Sequence, residues 1–209
     1  MATQSIFGDP TSPASPSHYP PSQTMLLFLD YHSLFVTQLG SPGTSAVTQA
    51  RKLATWARSI PDLHIGHALI DPKLDSFPTC KGQDRLNAVK QMLNDDSAGW
   101  NEPEGIRSDT DTEVVYLRRG GYVSATKSIG LPDKLAELGV KHLILCGLST
   151  SGCVVRTACA ATDAEFVVTV VEDACGDRDQ NRHDVCLQML GNRCWVMTAE
   201  QVVNELLKK

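Results

Sequence analysis

The chain lacks any apolar run of the roughly 20 residues needed to cross a bilayer. Its longest runs, such as 25–29, have the length of buried strands. A basic excess is missing as well. The formal net charge is −5, so the overall balance gives no reason to expect nucleic acid or an anionic membrane as partner. No Cys-x-x-Cys pair occurs, and the seven cysteines are odd in number and irregularly spaced. That pattern argues against a disulfide framework or a zinc cage and for a reducing compartment. Cys146 and Cys194 fall in expected strands, Cys159 and Cys186 in expected helices, where a thiol is expected to serve as small apolar filler. The first residues show neither the basic start nor the apolar stretch of a secretory signal. The expected location is therefore cytoplasmic.

What is present suits one domain of 209 residues, large enough to bury a sizeable core without disulfides or metals. Residues 1–24 stand apart. Pro10, Pro13, Pro16, Pro20 and Pro21 alternate with serines and show no hydrophobic period. Such an extension buries too little to offset its ordering entropy and is expected to be flexible or draped over a neighbour.

Residues 25–209 alternate apolar runs with amphipathic stretches. The runs lie at 25–29, 63–70, 114–117, 142–146, 167–171 and 194–197. Several are continuous in Val, Ile and Leu, as strands covered on both faces are. Between them, helical spacing joins Val47, Ala50, Leu53, Ala54 and Ala57, then Leu86, Val89, Met92 and Leu93. A short pattern at Leu135 and Leu138 ends on Gly139; others follow at 154–161, 185–190 and 202–207. Strand alternating with helix in this way predicts a three-layer α/β/α sandwich around a six-stranded, mainly parallel, Rossmann-like sheet. Ligands of such sheets bind beyond the carboxyl ends of the strands. Chemistry is therefore sought at Asp30, Asp71, Arg118 with Arg119, the 147–153 turn, and Glu172 with Asp173.

The segment around that turn reads strand, tight turn, helix. Thr150 or Ser151 can cap the helix, Gly152 permits unusual angles or close approach, and Cys153 falls in the first helical turn. There the unpaired N–H groups and the helix dipole favour a thiolate and can stabilise an oxyanion. A packing cysteine would occupy the same position equally well. Asp30, closing an apolar strand, supplies a general base for such a nucleophile, and Arg118 or Arg119 a cation to hold both anions.

Three motifs then carry a resemblance covering nearly all of 25–209: Leu26-Leu-Phe-Leu-Asp30, Gly147-Leu-Ser-Thr-Ser-Gly-Cys153-Val-Val-Arg-Thr-Ala158, and Val170-Val-Glu-Asp-Ala174. The chain resembles the isochorismatase-like cysteine hydrolase superfamily, which includes nicotinamidases, carbamoylsarcosine amidohydrolases and isochorismatases. The resemblance implies an Asp–Lys–Cys triad, a cis peptide between Leu148 and Ser149 that turns N–H groups of the turn, with Gly152, toward an oxyanion, and homo-oligomers such as dimers or tetramers.

The chain departs from the pattern at the lysine, since none stands between Glu113 and Thr126. Arg119 is nearest in register, Arg118 next, and Lys127 lies farther on. An arginine prefers a bidentate grip on a carboxylate. It can hold Asp30 or bind the carboxylate of an acidic substrate, and it also leaves open an inactive descendant. The metal known in the nicotinamidase branch needs clustered histidines. His64 and His67, three apart in a strand, face opposite ways, and His67 and Asp71 lie roughly 13 Å apart at strand rise. No metal and no cofactor are expected, and both histidines read as structural. Tyr31, His32, Phe35 and Tyr122 are candidates for substrate contact, Trp100 for packing or a pocket wall, and Cys175 for a second reactive thiol. The leading reading is C–N hydrolysis of a small amide through a covalent Cys153 intermediate. Vinyl-ether cleavage releasing pyruvate, and a binding protein on a degenerate enzyme fold, are its alternatives.

Overall fold

The computed structural model describes residues 5–92, 97–108 and 112–207. Six strands form one sheet: β1 (Thr24–Leu29), β2 (His64–Asp71), β3 (Val114–Arg119), β4 (His142–Leu148), β5 (Val167–Gly176) and β6 (Trp195–Met197). The order is β3-β2-β1-β4-β5-β6, and every neighbouring pair is parallel. β1 and β4 are buried along their whole length, which is why their sequences are unbroken in apolar residues. The helices are α1 (Ser33–Leu39), α2 (Ser41–Arg58), α3 (Gln83–Met92), α4 (Leu131–Glu137), α5 (Val155–Asp163), α6 (Gln180–Leu190) and α7 (Ala199–Glu205). Of the residues expected in α3, Leu93 lies outside the described residues.

Each predicted strand is found, with β3, β4 and β5 running beyond the apolar run that revealed them. β5 is the largest departure. Its register against β4 steps from Leu145↔Val170 to Gly147↔Cys175, so extra residues bulge out and the strand reaches three residues past Asp173. α1 has no counterpart in the sequence reading. Its seven residues include β-branched Val36 and Thr37, and it stands on tertiary contacts of Phe35, Val36 and Leu39 with the core.

Sheet order reverses between β1 and β4, because the chain winds outward to β3 and returns to the centre for β4. Ligand crevices form at such a switch point. The two central strands approach closely there. A Cβ on Gly147 would sit 2.2 Å from the Leu29 carbonyl oxygen, so only glycine fits.

The sequence leaves the N-terminal segment either flexible or draped over a neighbour. From residue 5 it is laid on its own domain. Phe7 is fully buried in the core, and the Trp195 indole donates to the Ala14 carbonyl at 3.2 Å. One aromatic anchor and a ladder of proline turns offset what composition alone does not. Two of the cysteines expected as filler also differ: Cys159 is exposed and Cys186 half-exposed, while Cys146 and Cys194 are buried. No described helix is long and apolar enough to cross a membrane.

Candidate active site

Asp30 follows β1 directly, with a positive φ of 53° and its N–H donated to the Ala68 carbonyl at 3.0 Å. Asp is among the few side chains that tolerate this region. Its carboxylate, 4 % exposed, meets the guanidinium of Arg118, whose Nη2 donates to Oδ2. The same Nη2 lies 3.4 Å from the Cys153 sulfur. Arg118 is itself held by the carbonyls of Tyr122 (2.9 Å from Nε) and Val123 (3.3 Å from Nη2). The structure thus brings Asp30, Arg118 and Cys153 together.

Arg119, first in register from the sequence, is not part of this group. Side chains alternate along β3: Tyr116 and Arg118 turn inward, while Val115 and Leu117 are exposed. Arg119 points away and donates to the Asp75 carbonyl at 2.9 Å. Arg118 must cross β2 to reach Asp30. Two strand spacings, about 9.6 Å, need a long side chain.

Cys153 sits in a π-helical turn (Thr150–Val154) that opens into α5. The expected side-chain cap from Thr150 or Ser151 is not made. Asp177 holds the turn instead, its Oδ2 accepting from both the N–H (2.8 Å) and the hydroxyl (2.7 Å) of Ser151. Burial pulls the Asp177 carboxyl up, but these Ser151 hydrogen bonds outweigh it and the group is held below its ordinary value. The peptide between Leu148 and Ser149 is cis. Gly152 stands where a Cβ would lie 2.6 Å from Ser149 Oγ. Its N–H is already given to the Ser149 carbonyl at 3.0 Å, so its own amide is not available to a ligand.

The thiolate expected from the helix end is not the resting state. Cys153 is 3 % exposed. Burial, then the neighbouring Asp30 charge, push its thiol up to about 12, against the opposing pull of Arg118. Desolvation of the charged form outweighs one cation and a short helix end. Thr157 Oγ1, one turn along α5, lies 3.6 Å from the sulfur.

Above these groups opens a cavity of about 380 Å³, lined by Asp30, Cys153, Leu148, Ser149, Ser151, Gly152 and Asp177, with Phe35, Gln38 and Leu39 from α1 and Val123, Arg178 and Arg182 on the other walls. Phe35 is placed on this cavity, packed edge-on to Trp100 and His32. Three other candidates are not. Tyr31 is fully buried in the core, its hydroxyl donating to the Ala174 carbonyl. His32 is consumed as a clamp. Nδ1 bonds the Trp100 carbonyl at 2.7 Å and Nε2 accepts from the Ile70 N–H at 3.1 Å, which fixes the tautomer. Tyr122 packs its ring on Phe77 and contributes only its carbonyl, to Arg118. Lys127 closes a short turn after β3 and does not line the cavity. Cys175 is buried in β5, and burial pushes its thiol up to about 12. Glu172 and Asp173 fall outside the cavity because of the β5 bulge, and Asp173 caps α7 through the Ala199 N–H at 2.7 Å.

The histidines of β2 are occupied elsewhere. His67 is buried between Glu102 (2.9 Å) and Glu113 (3.3 Å), and Arg58 holds Glu113 from the other side at 2.7 Å. His64 bonds the Ser22 carbonyl at 3.1 Å. Among the described residues no three His, Cys, Asp or Glu side chains are grouped to hold a metal ion.

The family model of the isochorismatase domain matches residues 24–201, from the first residue of β1 into α7. The chain belongs to the isochorismatase family. This isochorismatase-family hydrolase is 26% identical over 132 residues to the uncharacterized isochorismatase family protein YecD of Escherichia coli O157:H7, an alignment covering 59% of this chain and 68% of that protein. Its fold is shared with a cysteine hydrolase from Pseudomonas syringae pv. phaseolicola (TM-score 0.72, 18% identity, 88% of this chain and 92% of that one). It is shared also with the nicotinamidase PncA from Bacillus subtilis (TM-score 0.67, 17% identity, 84% and 99%). The Arg118 guanidinium occupies the space between the acid and the thiol, the place for which the resemblance implies a lysine.

Proposed function

We propose that this hydrolase cleaves the C–N bond of a small amide through a covalent thioester at Cys153. The observation that carries the reading is the single Arg118 nitrogen lying on both Asp30 and Cys153 at the floor of the cavity. A buried thiol at rest needs a base at the moment of attack. Asp30 keeps one oxygen, Oδ1, without a hydrogen-bond partner among the described residues, and that oxygen is the acceptor for the Cys153 proton. As sulfur bonds the carbonyl carbon, the C=O pair moves to oxygen, where N–H groups of the 149–153 turn other than those of Ser151 and Gly152 receive it. Collapse breaks the C–N bond, and the amine leaves with the proton held by Asp30. Water then gives a proton to Asp30 and attacks the thioester. The carboxylic acid departs, and the proton returns to sulfur. Arg118 keeps its charge throughout and steadies whichever of Asp30 and Cys153 is the anion.

Arg118 also removes the motive for reading the fold as a binding protein, since a cation does stand beside the acid and the thiol. The nicotinamidase neighbour supports amide chemistry by analogy. The test follows ammonia release from a panel of small amides by the wild-type chain and by Cys153→Ala. Release should disappear in the variant while its melting temperature stays near that of the wild type. Turnover that survives Cys153→Ala sinks the covalent route, and pyruvate from isochorismate produced equally by both proteins points to vinyl-ether cleavage instead.

A further inference from the structure

The cavity that Cys153 lines also carries two arginines that the chemistry above does not use. Arg178 follows β5 and Arg182 stands in the first turn of α6; both are exposed and both line the cavity. Neither makes an ion pair or a side-chain hydrogen bond among the described residues. Their placement is built. The bulged β5 carries the chain to the cavity lip. Asp179 then caps α6 by accepting from the Arg182 N–H at 3.0 Å, which sets where that side chain begins. The acids nearby are occupied. Asp177 accepts from Ser151, Asp179 from Arg182, and Asp184 from Gln180 at 2.8 Å. Asp30 is paired with Arg118. Among the residues lining the cavity, Arg178 and Arg182 therefore carry two charges without an ion-pair partner, against one such negative charge, on Asp177, whose Oδ2 already accepts two bonds from Ser151.

We propose that Arg178 and Arg182 form a carboxylate subsite, so that the substrate is an amide carrying a free carboxylate. The inference rests on the reading of Cys153 as nucleophile. Guanidinium groups grip carboxylates through paired, charge-assisted N–H bonds, and a cavity of about 380 Å³ suits a molecule of small-metabolite size. Arg118 is not placed for this part: it is buried and does not line the cavity, and its Nη2 and Nε are committed to Asp30, Cys153 and the Tyr122 and Val123 carbonyls.

The test needs no knowledge of the natural substrate. Iodoacetate and iodoacetamide alkylate the same thiol by the same step: the S–C bond forms, iodide leaves, and the thiol proton passes to base. They differ in the carboxylate. The iodoacetate-to-iodoacetamide rate ratio at Cys153 should exceed that at exposed Cys159 of the same chain by about tenfold, the scale of one or two charge-assisted bonds. Arg178→Met with Arg182→Met should return it toward the Cys159 ratio, which separates these residues from the attraction of Arg118. An equal ratio at the two cysteines, or a raised ratio indifferent to the double variant, overturns the inference while the nucleophile stands. If Cys153 resists both reagents, the nucleophile reading fails, and the subsite is read by glutarate instead. A saturable rise in Tm with glutarate at low salt, lost in the double variant, supports the subsite; no rise refutes it.

Discussion

Nη2 of Arg118 lies on the Asp30 carboxylate and, at 3.4 Å, on the Cys153 sulfur. The pair is almost wholly buried, with side chains 1% and 5% exposed. Removing the cation leaves a buried carboxylate unpaired, which costs ~3–5 kcal/mol in comparable pairs. Arg118→Met should lower stability on that scale and abolish turnover. Arg118→Lys should recover part of both, since a lysine supplies the charge but not the hold on the Tyr122 and Val123 carbonyls. Urea melts and initial rates of the three proteins check this, and equal stability of Arg118→Met and wild type contradicts it.

Cys153 gives a pH prediction whose sign depends on Asp30. Burial and the Asp30 charge together push the thiol up to about 12, with Arg118 pulling the other way. Alkylation by iodoacetamide should therefore keep rising with pH well past the ordinary thiol range. In Asp30→Asn the repelling charge is gone and Arg118 remains, so the thiol falls and alkylation near pH 8 should be faster than in wild type, even as turnover disappears. A slower alkylation in Asp30→Asn would mean that Asp30 acts as base toward this reagent too.

The ion-pair cluster under β2 sets a stability window. His67 is raised to about 9: burial opposes the charge, but the hydrogen bonds it donates to Glu102 and Glu113 outweigh it. Its contribution is complete below the ordinary 6.5 and is lost as pH rises through about 9. Glu113 is lowered to about 2, where Arg58 and His67 outweigh burial. Its contribution is present above the ordinary 4.5 and is lost as pH falls toward 2. Both shifts describe one interaction. Tm should be highest between about pH 4.5 and 6.5, and His67→Gln should flatten the alkaline decline; an unchanged decline refutes the assignment.

The N-terminal arm makes a fourth prediction. Phe7 is fully buried, so Phe7→Ala should cost ~3–5 kcal/mol, the range of large aromatic truncations in cores. Replacing Thr11, which bonds only Asp9 at the surface, should change little. Thermal melts of the two variants separate a docked arm from a free one.

Much of this architecture is a local property of the chain. Continuous Val, Ile and Leu runs mark strands buried on both faces, and six of them separated by amphipathic stretches admit few arrangements other than a parallel sheet between helices. Asp30 and Cys153 were legible for the same reason. Asp30 follows one central strand directly and Cys153 lies in the turn after the other, and strand ends at the switch point are where such sheets bind ligands.

Tertiary structure decided the rest. Whether Arg118 or Arg119 enters the site depends on which face of β3 turns inward, and an edge strand with Val114, Val115 and Leu117 all partly exposed carries no clear alternation to reveal it. Tyr31 and His32 follow Asp30 in sequence, but the left-handed turn at Asp30 sends both away from the cavity. Asp177, Arg178 and Arg182 arrive there only because β5 bulges against β4, a register shift that no periodicity records. The sequence by itself determined the sheet, the acid and the thiol, because burial and period are read one segment at a time. Which cation joins them, and what else faces them, required the packing of strands distant in the chain.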